Sequence, residues 1–328
     1  MVAPSEQDQA TGRLTVPSFN WGLGFFGPLV GLVLLCIVFS FTSEYFFTTR
    51  NALNILDQVT VLGILAIGMT AVIITGGIDL SVGSVLAFSM MMMGWISREF
   101  GVPLEVAMLC AILTGAACGA VSGLLITVAR LPPFIATLAM MTVARGLANI
   151  LTDGRQIVGY PSWFTSFATV RHFDFLSVTV GVFIVSVILA FIYLRYRPGG
   201  RNLYAIGGSP EVARLSGIAV KKVTVGVYAM CGALSGLAGI ALAARLNSSQ
   251  PSAGLTYELD TIAAVVIGGA SLAGGVGSIA GTVVGVLIIG VLSNGLNLLA
   301  VSPFIQMVVI GCVIALAVTF DTLGRRNR

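Results

Sequence analysis

The feature that most constrains this chain is its succession of long apolar runs, which a water-soluble domain could not enclose. The 328 residues are 57% hydrophobic and only 9% charged, whereas an ordinary soluble domain has about 25% charged residues. A chain with so few charges cannot cover a globular surface with polar groups. We therefore predict an all-α polytopic membrane protein.

Ten windows have the length and apolarity expected of membrane-spanning helices. They cover approximately residues 22–43, 59–76, 80–97, 104–129, 133–151, 175–194, 223–244, 259–273, 276–299 and 303–320. The second, third and eighth windows are short for a complete span, so broken or re-entrant helices are expected there. We predict about ten transmembrane helices, and eight spans with two re-entrant segments remain the alternative.

The longest charged interval is the loop 195–222, which carries six of the 17 Lys and Arg residues and one acidic residue, Glu211. By the positive-inside rule this loop lies in the cytoplasm. An even number of spans then places both termini there, in agreement with Arg325, Arg326 and Arg328. Basic residues in short loops indicate orientation, and they do not indicate nucleic-acid binding.

These features predict three parts of the chain. Residues 1–21 form a cytoplasmic N-terminal tail, residues 22–320 form a single transmembrane domain, and residues 321–328 form a cytoplasmic C-terminal tail.

One glycine pattern occurs twice and indicates an internal repeat. The two copies are Gly115, Gly119 and Gly123 followed by Pro133-Phe134-Ile135, and Gly277, Gly281 and Gly285 followed by Pro303-Phe304-Ile305. Glycine at every fourth position lines one helix face and permits close helix packing. Residues 76–80 also resemble residues 268–272. The two halves would run oppositely through the membrane, as in many transporters, although glycine-rich helices also match by chance.

Few polar residues interrupt the apolar windows, and these are the candidates for a solute pathway. They are Asp79, Thr137, Thr142, Arg145, Asn149, Asn294, Asn297 and Gln306. Asp79 is either a helix cap or a pathway residue, because an ionised carboxylate at the bilayer centre costs at least about 2.5 kcal/mol. For the others, hydrogen bonding between helices competes with solute contact. Together they favour a pathway for neutral, hydroxyl-rich solutes.

The sequence lacks the patterns of the main catalytic and metal sites. It has no G-x-x-x-x-G-K-[ST] motif for nucleotide phosphates, and its single histidine supports neither a triad nor a metal cluster. The five cysteines lie within apolar runs and form no C-x-x-C motif. We therefore expect no enzymatic activity, no metal and no cofactor, and any ATP-driven transport would require an ATPase on another chain.

The 195–222 loop contains signals for a short helix. Ser209 is a suitable N-cap, Pro210 suits the first helical position, and Glu211 complements the helix dipole. Gly217 is expected to end the helix.

Three stretches carry a resemblance to a known family. They are GMTAVIITGGIDLSVGSVLA (68–87), PFIATLAMMTVARGLANILTDG (133–154), and residues 200–282, from GRNLYAIGGSPEVARLSGI through SSQPSAGLTYELDTIAAVVIGGASLAGGVGSIAGT. Over roughly residues 50 to 320 the chain resembles the permease subunit of bacterial sugar ABC importers. The resemblance is to the ribose, xylose, arabinose and galactose branch, and the ribose type is the nearest match.

The resemblance implies a fold, a location and an assembly. The implied fold is the larger, ten-helix importer type in the bacterial inner membrane, surrounded by lipid. The implied partners are a second permease copy, a cytoplasmic ATPase, and a periplasmic or lipid-anchored sugar-binding protein.

The resemblance also assigns a docking segment for the ATPase, with an E-x-A-x-x-x-G spacing. Its residues are Glu211, Ala213, Arg214 and Gly217. The chain departs from the family motif in two ways, because Val212 replaces a small residue and the downstream I-x-L-P is missing.

Two other functional classes are compatible with parts of the sequence. A stand-alone secondary carrier would explain the repeat, although it would leave the basic loop and its helix unexplained. A membrane-embedded enzyme or scaffold lacks a catalytic set.

Overall fold

The computed structural model describes residues 21–172 and 176–326, and each of the ten apolar windows contains a helix. The helices are α1 (Trp21–Thr42), α2 (Thr49–Ile74), α3 (Val82–Glu99), α4 (Leu104–Thr127), α5 (Pro133–Ile150), α6 (Ser162–Thr169), α7 (Val178–Tyr196), α8 (Pro198–Gly208), α9 (Pro210–Leu215), α10 (Val220–Leu246), α11 (Tyr257–Ile267), α12 (Ile279–Leu298) and α13 (Pro303–Arg326). The strands are β1 (Ile157–Val158), β2 (Arg171–His172), β3 (Leu176–Ser177) and β4 (Ser248–Ser249). Most of the predicted N-terminal tail (1–20) and the last two residues (327–328) lie outside the described residues.

Six of the described helices, α2, α4, α5, α7, α10 and α12, are long and apolar enough to cross a membrane. Helices α1 and α13 contribute shorter apolar segments, Phe26–Thr42 and Pro303–Val313. The prediction of a mainly helical, polytopic membrane protein is therefore confirmed.

Helix α2 forms the centre of the fold. Every residue from Val59 to Ile74 is buried, as expected for a helix that is apolar on all sides. Helices α7, α10, α11 and α12 pack around it. It begins at Thr49, well before its apolar window, because the Thr48 side chain accepts a hydrogen bond from Asn51 N at 3.2 Å.

Helices α4 and α10 are antiparallel and approach each other through glycines. A Cβ atom added to Gly115 or Gly119 would overlap the carbonyl oxygen of Gly232 or Tyr228. Gly123 is the next member of this face and lies against the N-terminal half of α10. The absence of side chains lets the two backbones come into direct contact, which is a common way for membrane helices to associate.

The second glycine series lies at the beginning of α12. Gly281 and Gly285 face Gly268 and Ala264 of the antiparallel helix α11, and a Cβ atom at either glycine would overlap the facing carbonyl. Gly277, just before α12, lies against the end of α2. Five of the six glycines of the two series therefore lie in close contact with a backbone, and Gly277 lies against the side chains of Ile74 and Ala270.

Two sets of helices, α2–α5 and α10–α13, make corresponding contacts. Helix α3 contacts α4 and α5, and α11 contacts α12 and α13. In the same way α10 contacts α3 and α4, while α2 contacts α11 and α12. The similar segments 76–80 and 268–272 do not hold equivalent places, because the first follows α2 and the second follows α11.

The segment between α5 and α7 folds over the ends of neighbouring helices. Strand β1 pairs with β4, and β2 pairs with β3, both antiparallel. Phe164 of α6 is fully buried and stacks with Tyr160, Trp163 and Phe167. The aromatic residues of this loop therefore serve mainly to fix α6 against α7 and α10.

Candidate functional site

Two non-helical segments, each with several buried residues, interrupt the helix bundle. We call residues 75–81, between α2 and α3, the first break, and residues 247–256, between α10 and α11, the second break. Left-handed residues start each of them: Gly76 has φ +78° and Asn247 has φ +51°. Non-helical backbone inside a membrane protein is tolerated only where its polar groups are satisfied by the protein or line a cavity. The two breaks are therefore the places where a polar pathway could be built.

Asp79 organises the first break. It is 1% exposed, and its Oδ1 accepts hydrogen bonds from Ser81 N at 2.9 Å and from Ser81 Oγ at 2.6 Å. Ser81 is the N-cap position of α3 but makes no side-chain capping bond. The carboxyl group thus shapes the backbone immediately before α3.

Two side chains hold the Ile78 carbonyl of the first break. Thr137 Oγ1 on α5 lies 3.3 Å from this oxygen and 2.9 Å from Pro133 O in its own helix. Tyr228 OH on α10 lies 3.4 Å from the same Ile78 oxygen. The first break is therefore fixed to both α5 and α10.

The second break is fixed to α5 by a guanidinium group. Arg145 Nη1 donates to Pro251 O at 2.5 Å and to Ala253 O at 2.7 Å. Earlier in the break, Ser249 Oγ donates to Met90 O of α3 at 2.8 Å. A charged donor shared between two carbonyls is a strong anchor, because charge-assisted hydrogen bonds are about twice as strong as neutral ones.

The second break meets the start of α3, just after the first break, at a pair of glycines. A Cβ atom at Gly83, at the start of α3, would overlap Gly254 O, and one at Gly254 would lie 2.6 Å from Gly83 O. Helix α5 is therefore hydrogen-bonded to both breaks, through Thr137 to the first and through Arg145 to the second. Sequence reasoning selected these two side chains, but it did not identify the carbonyls that they bind.

The other face of α5 is not covered by this chain. Helix α5 packs on α3, and its small residues Ala136, Ala144 and Ala148 are buried. On the uncovered face, Thr142 and Asn149 are exposed. Asn149 Nδ2 donates to Arg145 O at 2.8 Å. The exposed face therefore combines apolar side chains with a few polar groups.

The remaining predicted pathway residues lie between helices. Asn294 of α12 and Asn51 of α2 are buried and exchange two amide hydrogen bonds of 3.0 Å. Gln306 Nε2 donates to Asn297 Oδ1 at 2.8 Å and to Val301 O at 2.9 Å, which ties the start of α13 to the end of α12. Sequence reasoning missed Asn51, whose only signal was its position on the apolar face of a helical stretch.

The predicted helix in the basic loop is confirmed as α9. Ser209 Oγ accepts from Val212 N at 3.3 Å, and Gly217, at φ +85°, follows the helix end. Ile218 N donates to Ala213 O at 3.0 Å and closes the C-terminal turn.

Most of α9 faces away from the rest of the chain. Only Ala213 is buried, and Glu211 and Arg214 are exposed. The apolar side chains of Val212 and Leu215 are 61% and 77% exposed. An exposed, capped two-turn helix with apolar and charged side chains is suited to insertion into a partner.

Helix α8, which the sequence did not predict, fixes α9 to the bundle. Tyr204 OH donates to Gly277 O at 2.9 Å. Burial raises the pKa of the Tyr204 phenol, so the hydroxyl stays protonated and remains a donor. Within the described residues, no group of three or more His, Cys, Asp or Glu side chains is placed to hold a metal ion.

Comparisons with known proteins identify the family. The family model described as branched-chain amino acid transport system / permease component matches residues 51–318. The chain is 48% identical over 299 residues to the ribose import permease protein RbsC of Bacillus subtilis (strain 168), covering 90% of this chain and 92% of the relative. The protein of the same name from Escherichia coli (strain K12) is 46% identical over 299 residues, or 89% and 92% of the two chains.

A more distant relative carries a different sugar in its name. The D-allose transport system permease protein AlsC of Escherichia coli (strain K12) is 37% identical over 308 residues, or 93% of this chain and 94% of the relative. No solved structure matches the chain.

Proposed function

Because this chain belongs to the family of branched-chain amino acid transport system permease components, we propose that it forms the membrane pathway of an ATP-binding cassette importer for a monosaccharide. The observation that carries the proposal is the identity of 46–48% to ribose import permeases over about nine-tenths of each chain. The relatives named above are all permeases, which confirms the prediction that the chain is a transport protein and not an enzyme.

We propose a ribose-like pentose or a related sugar as the solute. The relatives with ribose in their names are more similar to this chain than the one named for D-allose. The polar groups along α5 are one amide, two hydroxyls and an arginine, which are suited to a neutral polyol.

We propose that ten helices cross the membrane in two inverted repeats, α2–α5 and α10–α13. Six helices are long enough by themselves, and α1, α3, α11 and α13 would complete the ten. Helix α11, at 11 residues, is short because the second break precedes it. The corresponding contacts of the two sets support the repeat, and the pathway would pass beside the two breaks.

In this arrangement both termini and the α8–α9 segment face the cytoplasm of a bacterial cell, and the protein lies in its inner membrane. The charge distribution supports this orientation. A single cysteine introduced at position 326 of a cysteine-free variant provides the test. Labelling of that cysteine in intact cells by an impermeant reagent would show that the orientation is wrong.

We propose that two copies of the chain enclose the pathway between their α5 and α13 helices. Both helices leave an exposed face: Phe134 and Leu138 on α5, and Phe304 and Met307 on α13, are exposed. Asn149 of α5 and Gln306 of α13 are then the polar groups nearest the pathway. Arg145, Thr137 and Asp79 support its wall from behind.

The ATPase would bind α9, and a separate binding protein would deliver the sugar on the opposite side. Exposed Val212 and Leu215, with Glu211 and Arg214, form the proposed contact, which Gly217 terminates. A short helix firmly joined to the bundle can transmit the displacement of a partner.

Reconstitution in liposomes tests the proposal against a stand-alone carrier. With ATPase and binding protein present, the permease should take up labelled ribose only when ATP is supplied on the ATPase side. Each component omitted singly should abolish uptake. If the purified permease alone equilibrates ribose across the membrane, the chain is a secondary carrier and the proposal is wrong.

Unlabelled competitors test the choice of solute in the same assay. D-allose and D-xylose in excess, added with the ribose-loaded binding protein, measure how far the assembled importer, binding protein included, accepts related sugars. Uptake of a solute other than a sugar, with none of ribose, would refute the assignment.

A further inference from the structure

Helix α8 touches the rest of the chain through bare backbone. A Cβ atom added to Gly207, near the end of α8, would overlap both the carbonyl oxygen of Ile74 and the backbone nitrogen of Gly275. Gly275 N in turn donates a hydrogen bond of 2.9 Å to Ile74 O. Three separate parts of the chain therefore meet at one point: α8, the last residue of α2, and the loop between α11 and α12.

The glycines on the other two segments complete this contact. A Cβ atom at Gly274 would lie 2.9 Å from Gly207 O and 3.0 Å from the N and Cα atoms of Gly76. Gly76, Gly274 and Gly275 have φ angles of +78°, +87° and +74°, a region that side chains other than glycine rarely adopt. We call Gly76, Gly207, Gly274 and Gly275 the glycine junction.

Such a junction transmits displacement efficiently. No flexible side chain lies between the three backbones, so one cannot move toward another without moving it, and closely packed interiors pass on strain. A second link runs in parallel, because Tyr204 OH donates to Gly277 O. Gly277 immediately precedes Ser278, the N-cap of α12.

Helix α8 contacts both helix sets. Ile74 ends α2, and the first break begins directly after it, so this contact reaches the α2–α5 set. Gly275 and Gly277 lie in the loop that leads into α12, so these contacts reach the α10–α13 set. Helix α8 is also the element directly before α9.

We propose that Gly207 and Tyr204 are positioning residues, through which movement of α9 is transmitted at the same time to the α2–α5 and α10–α13 sets. This inference rests on the proposed function, in which an ATPase moves α9. If movement of α9 were transmitted only along the covalent chain, it would act on α7 and α10, which flank the α8–α9 segment. The junction adds direct contact with the first break and with the beginning of α12.

Two adjacent glycines give a matched test. Gly207 and Gly208 both lie in α8, and replacement by alanine improves helix propensity at each. A Cβ atom at Gly208 meets nothing within 4 Å, whereas one at Gly207 strikes two backbones. The variants Gly207→Ala and Gly208→Ala are each reconstituted with ATPase and binding protein, and ribose uptake and ATP hydrolysis are measured together.

We expect Gly207→Ala to lower the number of ribose molecules transported per ATP by about fivefold or more, within the usual range of coupling between sites. Gly208→Ala should retain the wild-type ratio. Both variants should still bind the ATPase, because α9 itself is unchanged. A general loss of stability would lower uptake and hydrolysis together and leave their ratio intact.

Tyr204→Phe is the second variant, since it removes one hydrogen bond and keeps the ring. We expect it to lower the ratio by about twofold or more, in line with the loss of one hydrogen bond. If Gly207→Ala does not assemble, the transport ratio of Tyr204→Phe alone decides whether the inference holds. A wild-type ratio in Gly207→Ala, or in Tyr204→Phe when it decides alone, would overturn the inference. Absence of ATP-driven uptake in the wild-type complex would instead refute the proposed function.

Discussion

Arg145→Met should loosen the second break while leaving the rest of the bundle folded. Methionine keeps an unbranched side chain of similar length but removes both hydrogen bonds from Nη1, to Pro251 O at 2.5 Å and to Ala253 O at 2.7 Å. A hydrogen bond to a charged group contributes about 1.5–3 kcal/mol. Since both bonds start from one nitrogen, we expect a combined loss of about 2–4 kcal/mol, below twice the single value.

This energy predicts a local effect on hydrogen exchange. Exchange of protected amides reports the free energy of local opening. A loss of 2–4 kcal/mol should speed exchange of the protected amides in residues 247–256 by about 30- to 800-fold. Peptides from α2 should exchange as in the wild type, because the Arg145 side chain donates to the second break and not to α2. Ribose uptake should fall as well, because α5 loses its attachment to the second break.

Two further variants make this experiment decisive. Arg155→Met replaces an exposed arginine and should change neither exchange nor uptake. Arg145→Lys keeps a charged donor on a flexible stem and should restore part of the protection. If Arg145→Met exchanges like the wild type in residues 247–256, the guanidinium does not hold this segment and the reasoning is wrong.

Three other predictions concern contacts elsewhere in the chain. Asn51→Leu should lower the midpoint of thermal unfolding, because the buried Asn294 amide loses its partner at a cost of about 1–3 kcal/mol. The double variant, which also carries Asn294→Leu, should recover part of this loss. If the losses of the two single variants simply add in the double variant, the pairing of the two amides is contradicted. Gly217→Val should weaken co-purification of the ATPase, since valine at φ +85° costs about 1–2 kcal/mol; unchanged complex formation would exclude a role for this turn. Asn149→Leu and Gln306→Leu should each reduce ribose uptake with normal amounts of assembled complex, and normal transport by both would place the pathway elsewhere.

Local signals in the sequence predicted most of the secondary structure. Each apolar window contains a helix, because the requirement to bury apolar side chains acts on every stretch of chain separately. The limits of α9 followed from Ser209, Pro210 and Gly217, whose preferences for helix ends depend only on neighbouring backbone. The apolar residues of 50–59 are spaced as in a helix and indicate one before the second window, and the structure joins this stretch to the rest of α2 as one helix.

The candidate site was predicted as a set of residue types and not as an arrangement. An amide or a hydroxyl in an apolar helix suits either a solute or another helix, and the sequence does not distinguish these uses. Asn294 bonds to Asn51, 243 positions away in the chain, and Arg145 bonds to carbonyl groups, which every residue has. No local pattern marks such partners.

The sequence alone determined that the chain is a polytopic helical membrane protein, where its ten long apolar stretches form helices, and which turn ends α9. These properties depend on composition and on interactions between near neighbours. Only the tertiary structure decided which helices touch, where the second break meets α3, and which glycines stand at contacts. Gly207 and Gly208 are adjacent and identical, yet one lies against two backbones and the other faces open space. That difference arises from the approach of segments more than 60 positions away in the chain, because the space around a residue is set by the packing of the whole bundle.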